Sequence, residues 1–183
     1  MAADFEASER FRHTTIRYLR HCLGLTCESF EPLPQQPVIQ SFKDIGEDMV
    51  KKCPLGKYRF KRQLFMSELE YFVDMEREEQ AATFSPRLST SEEYRRRRDG
   101  TSATRLLLIL TDYAYGFELP EKYYPTNNPH MQAIWFAANV ITSTNNDILS
   151  LKKEIGAGQV EILVPLLYVE NGFSLQRATD EAI

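Results

Sequence analysis

The sequence predicts an all-α fold, and three observations carry that prediction. Apolar residues recur three and four positions apart along most of the 183 residues, the period of helices with one buried face. Alternating runs of strand type are rare. Helix-starting and helix-stopping residues fall at the edges of the periodic segments.

The first helix is expected over 9–23, with Gly24 placed to stop it. A proline-rich connection over 31–37 follows, and Pro37 can open the next helix, where a missing N–H costs nothing. There Val38, Ile39, Phe42, Ile45 and Met49 form one apolar stripe, which Cys53-Pro54-Leu55-Gly56 ends. A third helix is expected over 58–82. It turns Leu64, Phe65, Leu69, Phe72 and Val73 inward and carries Glu76-Arg77-Glu78-Glu79 on its charged face. Thr90 and Glu93 have the spacing of a capping box that starts a fourth. Gly100 is expected as a break before the apolar run Leu106 to Leu110. Asn128-Pro129 supplies an N-cap and first-turn proline for a long helix ending near Gly156. Helices over 159–170 and from Ser174 onward follow, the first kinked or delayed by Pro165. No repeat or linker divides the chain, so residues 1–183 are read as a single α-helical domain.

The hydrophobic content of 43% suits a globular protein, and the formal charge of −4 stands against a nucleic-acid partner, even for the arginine run at 95–98. Cys22, Cys27 and Cys53 form neither a disulfide framework nor a zinc set, and read as ordinary reduced thiols. The opening residues lack the basic flank and apolar run of a signal peptide, and no stretch approaches the roughly 20 apolar residues of a membrane span. A cytoplasmic location is the expectation.

In the long helix, Asn146, Ser150 and Glu154 stand at i, i+4 and i+8, which places them on one face over two turns. An amide oxygen, a hydroxyl and a carboxylate are hard donors suited to Mg²⁺, which keeps waters for a phosphate to replace. Lys153 adds a cation beside Glu154. On spacing alone, such a trio arises more often on a plain solvated helix face.

The wider string Asn146-Asp147-Ile148-Leu149-Ser150-Leu151-Lys152-Lys153-Glu154 resembles the second metal motif of class I terpene cyclases, in their bacterial and fungal branch. Upstream, the segment from Tyr94 through four arginines to Thr101-Ser102-Ala103 resembles the part of that family that senses diphosphate and then breaks its helix. The likeness runs from about His13 to the last residue. It implies a partial class I terpenoid synthase bundle, the central and C-terminal part of that fold. It implies Mg²⁺ held by Asn146, Ser150 and Glu154, with a prenyl diphosphate gripped by Arg98 and Lys153. Arg98 is the first choice of sensor and Arg97 the second. The implied activity is that of a sesquiterpene-forming lyase, farnesyl diphosphate being the substrate by family habit. The aromatics Phe65, Phe72, Tyr113, Phe117, Trp135 and Phe136 are candidates for a carbocation pocket, with core packing the commoner role for each.

The family's first, Asp-rich metal motif has no match here: Asp4-Phe5-Glu6 lacks its spacing, and Glu47-Asp48 and Glu78-Glu79 lie on other helices. The chain is therefore expected to turn over poorly by itself. The competing reading is a non-catalytic helical protein that keeps part of the fold to bind a partner or apolar ligand. A homodimer is compatible with either.

Overall fold

The computed structural model describes residues 2–27, 30, 36–52, 55–116 and 119–182. It is 78% helical, with no strand among those residues. The order is α1 (Ala2–Cys22), α2 (Pro37–Gln40), α3 (Phe42–Lys52), α4 (Leu55–Thr83), α5 (Ser91–Thr101), α6 (Thr104–Tyr115), α7 (Pro129–Gly156), α8 (Leu163–Asn171) and α9 (Leu175–Asp180). A short 3-10 turn at Glu121–Tyr123 precedes α7.

The start signals act as their chemistry requires. Thr90 Oγ1 accepts from the Glu93 amide at 3.1 Å, and Glu93 Oε2 returns the favour to the Thr90 amide at 2.9 Å. Asn128 Oδ1 accepts from the amides of His130 and Met131 at 3.0 and 3.2 Å, and Pro129 opens α7. Gly172 ends α8 at φ 62°, a left-handed conformation that a side chain would strain.

Several expectations change. The first helix starts earlier, at Ala2, and the third runs longer, over Leu55–Thr83. The helix expected from Pro37 is two, divided at Ser41, and its stripe is not uniformly inward: Ile39 and Met49 are buried, but Val38 is 78% exposed. The helix at Pro165 starts late rather than kinking. Leu163 is its first residue, so Pro165 sits in the first turn, where no N–H is needed. Gly100 is not the break; it lies inside α5, buried. A Cβ there would come within 2.3 Å of Met75 Cγ, so its smallness lets α5 close on α4. The break falls two residues later, at Ser102 and Ala103. Cys53-Pro54, Glu31-Pro32-Leu33-Pro34-Gln35 and Phe117 lie outside the described residues.

Two buried clusters organise the packing. The larger joins Leu19, Met49, Leu64, Phe65, Ile109 and Trp135 from α1, α3, α4, α6 and α7 with Leu23 from the turn after α1. The smaller joins Tyr94 of α5 to Leu163, Val164, Leu166 and Leu167 of α8 and to Ala178 and Ala182 at the end of the chain. Burial on this scale contributes about 1.5–3 kcal/mol for each large apolar side chain. The second cluster fixes α5 and α8 against α7, and that arrangement positions the site.

Candidate functional site

Because α7 is helical without interruption from Pro129 to Gly156, the Asn146, Ser150 and Glu154 positions lie on one face as their spacing requires. Ser150 Oγ donates its proton to the Asn146 carbonyl at 2.7 Å. That bond uses the hydroxyl hydrogen and leaves the oxygen lone pairs available. Glu154 Oε2 is buried and has no hydrogen-bond partner, an arrangement that normally calls for an unshown donor or cation. Asn146 and Glu154 line a cavity of about 400 Å³ together with Glu76, Arg98, Thr101 and the turn at 158–162. Ser150 and the exposed Lys153 are not among its lining residues.

The arginine run divides by helical phase. Arg98 reaches α7: its Nη2 donates to Asn146 Oδ1 at 2.6 Å and its Nε to Asp147 Oδ1 at 3.1 Å. Arg97 turns to α4 and the α8 entry. It is 4% exposed, bound to Glu79 at 2.8 Å, Ser89 at 3.0 Å and Glu161 at 3.0 Å. Arg96 pairs with Glu78 on the outer face, and Arg95 is exposed. The structure therefore brings Arg98 to the triad and does not bring Arg97 there.

Sequence reasoning missed Asp147 and Tyr94. Asp147 is 3% exposed and accepts from the Tyr94 hydroxyl at 2.7 Å as well as from Arg98. Burial raises its pKa above the ordinary carboxylate value, and Tyr94 and Arg98 pull it back down. Burial and the neighbouring Asp147 also raise the Tyr94 phenol, so it stays a proton donor. The available signal was position: Tyr94 and Arg98 are four apart on α5, and Asp147 follows the first residue of the triad.

Beyond Arg98 the chain breaks. Ser102 caps α5, and Ala103 adopts φ 57°, among the described residues the sole non-glycine at positive φ. For a side chain that conformation costs about 1 kcal/mol. Of the six aromatics considered, Phe65 and Trp135 belong to the large core, and Tyr113 bonds Asp48. Phe136 lines a second, largely apolar cavity of about 250 Å³ between α5 and α7.

The donor set would suit a hard divalent cation: it offers three oxygen donors on one helix face, one of them a buried carboxylate oxygen without a partner. Among the described residues no three His, Cys, Asp or Glu side chains cluster as a metal site.

A helical bundle with this oxygen triad and facing arginine has the makings of a class I terpene cyclase, and the comparisons bear that out. Residues 2–183 match the family described as terpene synthase family 2, C-terminal metal binding, and the chain belongs to that family. It is 30% identical over 177 residues to the sesquiterpene cyclase hepA of Aspergillus oryzae, covering 93% of this chain and 46% of that protein. It is 36% identical over 89 residues to sesquiterpene synthase 6 of Postia placenta, covering 49% of this chain and 25% of that protein. The chain thus spans less than half the length of these curated relatives. In fold it is similar to the linalool/nerolidol synthase of Streptomyces clavuligerus, with a TM-score of 0.79 at 17% identity, over 98% of this chain and 59% of that one. Among the described residues no helix is long and apolar enough to cross a membrane.

Proposed function

We propose that this chain carries the diphosphate-binding wall of a Mg²⁺-dependent terpene cyclase acting on a prenyl diphosphate, farnesyl diphosphate first among candidates. The observation behind this reading is convergence: Arg98, Asn146 and Glu154 line one cavity, and Glu154 Oε2 is buried there without a partner. Asn146, Ser150 and Glu154 would hold Mg²⁺, which when bound neutralises diphosphate charge and favours its departure.

The protein's own groups then have distinct tasks. Arg98 offers a planar fork of donors to phosphate oxygens and never loses its charge. Its present partners, Asn146 Oδ1 and Asp147, hold it at the cavity in the absence of an anion. Lys153, exposed on α7 beside Glu154 and outside the cavity lining, would supply a second cation to the diphosphate. Arg97 is a weaker choice for this role, since Glu79 and Glu161 already occupy its guanidinium. A cytoplasmic location belongs to the same proposal.

A thermal melt with Mg²⁺ and inorganic diphosphate tests it. A ligand that binds only the folded state at about 100 times its Kd stabilises by about 2.7 kcal/mol. A melt unchanged at millimolar Mg²⁺ and diphosphate would leave the triad as a solvated face. The competing reading, a helical binding protein without turnover, draws on Ser150 and the exposed Lys153 lying outside the cavity lining. It is distinguished by diphosphate binding without product formation, even when the remaining helices of a homologous cyclase are supplied.

A further inference from the structure

α5 and α7 are joined by two rungs of polar contact, and only the first belongs to the site above. The first is Arg98 to Asn146 and Asp147. The second lies two turns earlier on α7, at Asn139, which is seven residues before Asn146 and so on nearly the same face. Asn139 is 2% exposed, and both ends of its amide are used. Its Nδ2 donates to Asp99 Oδ1 at 2.9 Å, and its Oδ1 accepts from the Ser102 hydroxyl. Ser102 Oγ in turn accepts from the Thr104 amide, the first residue of α6, at 3.2 Å.

These contacts bracket the break. Asp99 follows Arg98 in sequence, and its other oxygen accepts from Tyr71 of α4 at 3.1 Å, with Arg105 of α6 at 3.7 Å. Arg105 is itself held by Glu68 through two bonds of 2.6 and 2.7 Å. The Ser102 amide donates to the Arg98 carbonyl at 3.2 Å, so any displacement of the Arg98 turn is passed directly to Ser102. Thr101, the last residue before the break, lines the cavity. A buried amide with this many polar partners is costly unless every bond is made, which makes the geometry at 99–104 close to all-or-none.

We propose that Asn139 is a positioning residue: through Asp99 and Ser102 it holds the backbone at Thr101–Ala103 over the diphosphate cavity, without touching diphosphate itself. This rests on the diphosphate reading of the cavity given above. The arrangement couples an anion at Arg98 to the break, because the strained Ala103 conformation is kept by contacts on both sides of it.

Amide hydrogen exchange on the whole chain tests this, with and without Mg²⁺ and inorganic diphosphate. In the parent protein, diphosphate should slow exchange both at 146–154 and at 101–106, the latter by about tenfold or more. Asn139→Ala should bind diphosphate within about threefold of the parent yet lose the slowing at 101–106. Ser102→Ala, which leaves the buried amide in place but takes the donor from its Oδ1, should lose most of it and lower the melting temperature by several degrees. The exchanged pair Asp99→Asn with Asn139→Asp keeps one carboxylate and one amide with complementary donors, and should restore the slowing. Slowing at 146–154 without any at 101–106 in the parent would overturn the positioning role alone. No slowing at either segment would overturn the diphosphate reading and this proposal with it. Retained slowing in both single variants, or failure of the exchanged pair, would also overturn the role of Asn139.

Discussion

Arg97 and Arg98 are adjacent in sequence but point about 100° apart around α5, and that angle turns Arg97 to α4 and the α8 entry and Arg98 to α7 and the cavity. Arg97 is buried between Glu79 and Glu161; removing it strands two carboxylates. Arg97→Ala should therefore destabilise the fold by about 3 kcal/mol, the lower end of the range for opening a buried pair, since both carboxylates keep some water contact. Urea unfolding reads this directly. Arg98→Ala should cost much less stability but weaken diphosphate binding by about tenfold or more, an effect that shrinks with added salt. Arg95→Ala, at an exposed position, should leave diphosphate binding within about twofold. Equal losses from Arg95 and Arg98 in a titration with inorganic diphosphate would mean a diffuse basic patch. The sequence ranked Arg98 ahead of Arg97 by its distance from Thr101-Ser102 but left the register open, because four consecutive arginines carry no phase of their own. The phase comes from Tyr94 and Gly100, whose burial against α8 and α4 decides which arginine faces α7.

At the level of single helices, local chemistry was readable and long-range chemistry was not. The Thr90–Glu93 box, the Asn128-Pro129 start and the i, i+4, i+8 face of α7 are set by residues within a turn or two of each other, so they show in sequence. The Asp99–Asn139–Ser102 rung joins residues 37 and 40 positions apart, and no periodicity marks it. Gly100 was misread for a related reason: a glycine in a helix can be a break or a close approach, and only the position of Met75 distinguishes them. Two measurements follow for α5. Burial of its start is slight, and the Arg87 guanidinium together with the Thr90 amide, both donating to the Glu93 carboxylate, holds Glu93 down at about 2, below the ordinary 4.5. A carboxylate lowered on folding stabilises above its unfolded pKa and loses that contribution as pH falls toward the folded one. Glu93→Gln should thus lower the melting temperature at neutral pH, and the gap from the parent should narrow as pH drops from 4.5 toward 2. A gap that is constant over that window would remove the charge from the account. At the far end, Ala103→Gly should stabilise by about 0.5–1 kcal/mol, because φ 57° costs glycine nothing. Denaturant midpoints at unchanged slope would show it.

For the whole molecule, the decisive comparison is with the relatives' size. The chain matches 46% of hepA and 59% of the structurally similar synthase, so much of each of those proteins has no counterpart in these 183 residues. Here the cavity has one cation, Arg98 of α5, with oxygen donors from α7 and carboxylates from α4, the Glu76 carboxyl being raised by burial and by Glu79. Charge developing on a departing diphosphate needs preorganised donors around it, and a carbocation needs walls that keep water out. In the function proposed above, the triad and Arg98 would supply one side of that field. With farnesyl diphosphate and Mg²⁺, this chain alone should therefore bind but give little or no cyclic hydrocarbon by gas chromatography. Supplying the remaining helices of a homologous cyclase, fused or as a separate chain, should raise product by about a hundredfold or more, since one oriented set of donors is worth several kcal/mol at the transition state. In that complemented protein, Asn146→Ala with Glu154→Ala should abolish the product again. Strong turnover by the isolated chain would show that acidic residues already present, with Glu76 and Glu79 nearest the cavity, complete the site by themselves.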